Sequence, residues 1–173
     1  LAKFVGQEAF VMFIALLMRE GRWHLIADVL SEEVIVRNVR GTKSCRFDAI
    51  CAYVKLLDIR KQRLEPNRRS LHADLLKERH EDGEIGKLVP FADFMAADLL
   101  LFLRGQIEPS EASRSIRWKA WSDIYLERWD TPRFLIEAQR GVVAAQLAKA
   151  LGVETVDELR ERFVARLRSM NEI

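Results

Sequence analysis

Apolar residues fall at helical intervals along almost the whole chain. Phe4, Phe10, Phe13, Ile14 and Leu17 mark a first helix, which Gly21 ends. Trp23 to Leu30 predicts a short second one. Val34 to Val39 is β-branched and stops at Gly41, so it reads as a strand or an extended link, with at most one short hairpin near 34–40. Phe47, Ile50, Cys51, Val54 and Leu57 form a stripe that predicts one helix of about four turns, broken by Pro66-Asn67. A charged helix starts at Ser70 with Leu71, Leu75 and Leu76 inward, and Gly83 and Gly86 punctuate its end.

The second half repeats the pattern. Phe91 to Leu103 is apolar nearly all round, which places it at the centre of a bundle. Pro109-Ser110-Glu111 and Thr131-Pro132 are helix starts, because Pro fits a first helical turn. Thr155 and Glu158 form a capping box in which each side chain can satisfy a free backbone N–H of the other. The last helix runs to about Met170. The reading is an all-α fold, a compact bundle of seven to nine helices in one domain over 1–173. The chain starts at Leu1 and reads as a piece of a longer protein.

Composition narrows the class. With 173 residues, 49% of them hydrophobic and 31% charged, the chain is long enough for a core without staples, and disorder is excluded. The early apolar run Ala9 to Met18 is half the roughly 20 residues that cross a bilayer, and charges flank it. Cys45 and Cys51 have no zinc spacing. We expect a reduced, cytoplasmic protein with no membrane partner, no metal and no cofactor.

Net charge is +2, but residues 37–87 hold 13 basic against 8 acidic side chains. The densest patch contains Arg60, Lys61, Arg63, Arg68 and Arg69. It is either a solvated helix end or a phosphate-binding surface for nucleic acid. Arg114, Trp118, Trp121, Tyr125 and Trp129 share one face if 111–129 is a continuous helix. That stripe is either core or a surface for stacked bases or a partner protein. Val143 to Phe163 resembles a helix-turn-helix through Ala148 and Gly152, but Glu154, Asp157, Glu158 and Glu161 would face a phosphate-rich groove, so it reads as a helical hairpin. His72 and His80 are about 12 Å apart along a helix and cannot share a metal unaided. Asp98, apolar on every side in FMAADLLLFLR, must be buried with a partner. The basic residues of 37–69 are the expected supply, through a salt bridge to an earlier helix or a contact at its end. No residue set reads as catalytic.

Two resemblances bear on function. Gln62 to Leu64, SLHADLLKER and FADFMAADLLLFLR are similar to helical C-terminal regions of large multidomain bacterial proteins, some of them in antiphage defence. This implies an interaction or regulatory domain whose partner is a protein domain of the same or another chain, with nucleic acid as the alternative. Arg19 and His24 match the Arg-x4-His pattern of the HEPN ribonucleases, although an Arg four to six residues ahead of some His arises about once by chance in this composition and Gly21 interrupts the helix between them.

Overall fold

A computed structural model describes residues 2–38, 41–51, 55–64, 70–81, 83–107, 118–121, 125 and 131–171. The fold is all-α with one small hairpin. Helix α1 (Ala2–Arg19) is followed by α2 (Trp23–Ser31), strands β1 (Val34–Asn38) and β2 (Gly41–Cys45), and a 3₁₀ turn (Phe47–Ile50). Then come α3 (Lys55–Leu64), α4 (Leu71–Glu81), α5 (Glu84–Leu88) and α6 (Phe91–Ile107), and last α7 (Arg133–Gln139), α8 (Ala144–Ala150) and α9 (Val156–Asn171).

Helix α6 is the hub. Phe91, Phe94, Met95, Ala97, Leu100, Leu101 and Ile107 are buried on it, and α1, α4 and α9 pack around it. A helix apolar on several faces needs neighbours on several sides, so its sequence dictates its place. Helix α2 packs on α1 and α8 through Trp23, Ile26 and Leu30. Gly21 ends α1 at φ +65°, where Arg22 N–H reaches Leu17 O at 2.8 Å and Gly21 N–H reaches Met18 O at 3.0 Å. This pair of bonds closes orphan carbonyls and turns the chain sharply into α2.

Three local expectations need correction. The hairpin runs to Cys45: β1 pairs antiparallel with β2, with Val34 opposite Cys45 and Asn38 opposite Gly41. The partner strand, Gly-Thr-Lys-Ser-Cys, carries little β signal of its own and is recruited by β1. The stripe from Phe47 is not one helix. A single 3₁₀ turn ends at Ile50, Cys51 is extended at φ −54° and ψ 124°, and α3 starts at Lys55. Nor is 111–129 a continuous helix, because Trp118 to Ala120 are irregular and Trp121 lies in a turn.

Candidate functional site

Most of the buried polar side chains among the described residues lie on α1, α4 and α6. Gln7, Glu8, His72, His80, Asp98 and Arg104 are each at most 3% exposed. Gln7, Glu8, Asp98 and Trp121 border one small gap together with Phe4, Leu76 and Phe94. A buried polar group needs partners, and the contacts show what each one does.

Glu8 on α1 accepts from Arg79 Nε at 2.8 Å and lies 3.4 Å from His80 Nε2, both on α4. His80 Nδ1 is 2.7 Å from Val89 O, so that nitrogen carries the proton, since a carbonyl only accepts. Burial pushes the Glu8 carboxyl up, but the neighbouring His80 ring and the hydrogen bond from Arg79 outweigh it and hold the group below its ordinary value. Gly83 and Gly86 let α5 fold back close enough for Val89 to reach His80, because a Cβ on Gly86 would overlap His80 O.

Arg104, near the end of α6, reaches two other helices. Its Nη1 donates to Ala150 O at 3.2 Å and to Lys149 O at 3.5 Å, and its Nη2 to Ser31 Oγ at 3.3 Å. The cation thus sits on the C-terminal carbonyls of α8, where the helix dipole favours it. Sequence reasoning missed both Arg104 and the Glu8 cluster. A heptapeptide ending in Leu-Arg looks like an ordinary helix end, and Glu8 lies 71 residues from Arg79.

Asp98 is 1% exposed, and Trp118 Nε1 donates to its Oδ1 at 2.8 Å. One of its donors is therefore a neutral indole from later in the chain. Trp118 is itself 1% exposed and packs on Phe10 and Phe47, so it belongs to the core and not to a binding surface. The next residue ties in as well: Lys119 N–H points at Cys51 Sγ at 3.5 Å, and burial pushes the Cys51 thiol up.

Trp121 and Tyr125 are half-buried in a second set of contacts. Trp121 stacks on His72 at 4.2 Å with planes 8° apart, and its Nε1 donates to Gln7 Oε1 at 3.1 Å. Tyr125 donates its hydroxyl to Asp74 and lies under Lys77 Nζ at 5.7 Å. Both rings therefore tie their segment to α1 and α4. Arg114 and Trp129 lie outside the described residues. Among the described residues no cluster of His, Cys, Asp and Glu is suited to a metal ion.

Of the basic patch, Arg60 and Arg63 are exposed on α3, while Arg68 and Arg69 lie outside the described residues. Arg19 and His24 are split by the turn at Gly21. Arg19 Nη1 is spent on Leu88 O at 2.9 Å, and His24 is exposed on α2. In the helix-turn-helix region, Glu158 accepts from Glu154 N–H at 3.0 Å and Thr155 Oγ1 from Glu158 N–H at 3.1 Å. The bond from Glu154 N–H, and with it Arg162 Nη2 donating to Glu158 Oε1 at 2.6 Å, holds the Glu158 carboxyl below its ordinary value. Its reciprocal bond goes one residue earlier than the simplest capping box.

Two clefts remain. One of about 600 Å³ lies between α1, α2 and the 3₁₀ turn, lined by apolar Phe10, Val29, Phe47 and Ile50 and by charged Asp28, Glu32 and Arg46. The other, of about 590 Å³, lies between the end of α1, the first turn of α6, and α7. No family model matches this chain, and no curated protein or solved structure matches it. No helix among the described residues is long and apolar enough to cross a membrane.

Proposed function

We propose that the chain is a non-catalytic helical interaction or regulatory domain of a larger protein, and that it docks an apolar helix carrying basic residues. The apolar cleft on α1, α2 and the 3₁₀ turn carries this reading. Phe13, one turn on from Phe10, is 46% exposed, Leu25, one turn before Val29, is 40% exposed, and Ile50 is 37% exposed. Helical spacing sets Phe13 beside Phe10 and Leu25 beside Val29, so exposed apolar side chains neighbour the cleft, and clustered apolar surface marks partner sites more often than scattered apolar residues do. Asp28 and Glu32 outnumber Arg46 in the lining, which favours a basic partner. The use of Glu8, His80, Asp98 and Arg104 as ties between helices also supports a domain whose polar interior serves cohesion.

Fluorescence anisotropy with a labelled amphipathic Leu/Lys helix, set against its Leu/Glu counterpart, tests this reading. The basic peptide should bind and the acidic one should not. Equal binding of both would remove the charge argument, and absence of binding would remove the site.

A nucleic-acid-binding module is the second reading, favoured by the exposure of Arg60 and Arg63 one turn apart on α3.

A further inference from the structure

The second cleft has a different chemistry. Its volume of about 590 Å³ lies within the roughly 300–1,000 Å³ typical of small-ligand sites. Met18, Trp23, Met95 and Phe134 supply apolar and aromatic wall. The Trp23 and Phe134 rings are 6.4 Å apart and tilted by 49°, so their faces are not stacked on each other.

Four charged side chains line the cleft: Arg19, Asp93, Arg133 and Glu137. Three of them are already engaged. Arg133 Nε pairs with Glu137 Oε1 at 2.6 Å. Arg19 donates to Leu88 O at 2.9 Å and lies 3.8 Å from Glu20. Asp93, partly buried in the first turn of α6, makes no hydrogen bond or ion pair among the described residues. The lining thus balances two guanidinium groups against two carboxylates, and Asp93 is the carboxylate that no described cation pairs with, beside aromatic rings and methionine sulfurs. Carboxylates and aromatic faces both attract cations, and the apolar wall selects a hydrophobic body.

We propose that this cleft binds a small organic cation, an amine on an arylalkyl body, with its ammonium group on Asp93 and its ring against Trp23, Met18, Met95 and Phe134. The site is separate from the helix-docking cleft, so either reading stands without the other.

Isothermal titration at pH 7 with phenethylamine, 2-phenylethanol and phenylacetate tests this, since the three share a ring and differ in charge. Phenethylamine should bind at least about tenfold more tightly than the alcohol, the scale of one charge-assisted contact. Asp93→Asn should erase that preference while leaving the circular dichroism spectrum unchanged. Ala92→Trp, at an exposed position on the cleft wall, should block the amine without touching the carboxylate. If Asp93→Asn does not fold, the three-ligand comparison on the parent and the Ala92→Trp variant still decide. Equal binding of amine and alcohol, tighter binding of phenylacetate, or no binding of the amine up to about 10 mM would each overturn the proposal.

Discussion

The guanidinium of Arg104 fills the space that a side chain at position 152 would need. Gly152 stands at φ +81°, and a Cβ built there would overlap Arg104 Nη1. Its own N–H reaches Lys149 O at 2.9 Å, and Val153 N–H reaches Ala148 O at 3.0 Å, so the backbone closes α8 while Arg104 takes the remaining carbonyls. One bare position thereby lets the central helix α6 clamp the end of α8 and, through Ser31, the end of α2.

Gly152→Ala should destabilise the protein by about 2–4 kcal/mol, combining left-handed strain with displacement of a buried cation. Gly21→Ala is the control. Its φ is +65° but nothing lies within 4 Å of its Cβ, so it should cost only about 1–2 kcal/mol. Urea melts of both variants measure the difference. Equal losses would show that Arg104 is not held by this contact.

The Asp98–Trp118 bond predicts an order. Trp118→Phe should cost about 1.5–3 kcal/mol, because it leaves a buried carboxylate short of a donor. Asp98→Ala should cost at least as much. Asp98→Asn should cost less, since the amide oxygen can still accept from the indole. Thermal melts with the same baseline settle the order, and an Asp98→Asn variant as unstable as Asp98→Ala would contradict it.

Glu8 gives the acid limb of stability. Its folded carboxyl lies below the ordinary value of 4.5, so the unfolded chain takes up the proton first as pH falls. Stability from the Glu8 contacts is therefore fully present above about 4.5 and is lost as pH drops through the folded value. Glu8→Gln should flatten stability against pH below that point and lower it at neutral pH. A variant with the parent's acid slope would place the titration elsewhere.

Much of the fold is legible in the sequence, for local physical reasons. Gly21 stops α1 and Gly152 stops α8 because both lie just past an apolar helical run. Phe91–Ile107 reads as central because it is apolar all round, and Asp98 reads as buried because every neighbour is apolar. What stays hidden is pairing at a distance. β2 has no pattern of its own, Glu8 meets α4 from 71 positions away, and Arg104 meets carbonyls 45 and 46 positions on. The aromatic stripe misled because equal spacing is shared by a continuous helix and by rings that turn inward one by one, as Trp118 and Trp121 do.

The capping bonds of α9 are a smaller test. Thr155→Ala should cost about 1 kcal/mol, the usual worth of an N-cap hydroxyl, read by chemical denaturation. No loss would mean that the Glu158 bond to Glu154 N–H closes the helix start alone.

For nucleic acid, the exposed pair Arg60 and Arg63 sets the prediction. If single strands bind there, log affinity should fall with log salt, and the Arg60→Ala/Arg63→Ala double variant should flatten that slope by about 1–2. An unchanged slope would exclude this patch.

The docking cleft is tested most directly by nuclear magnetic resonance, following backbone amide shifts as the basic amphipathic peptide is added. Shifts should concentrate at residues 10–13, 25–32 and 45–50 and be lost in Ile50→Asp, a half-open position whose change should leave the melting temperature near that of the parent. Shifts scattered over the surface, or an Ile50→Asp protein that responds like the parent, would contradict it.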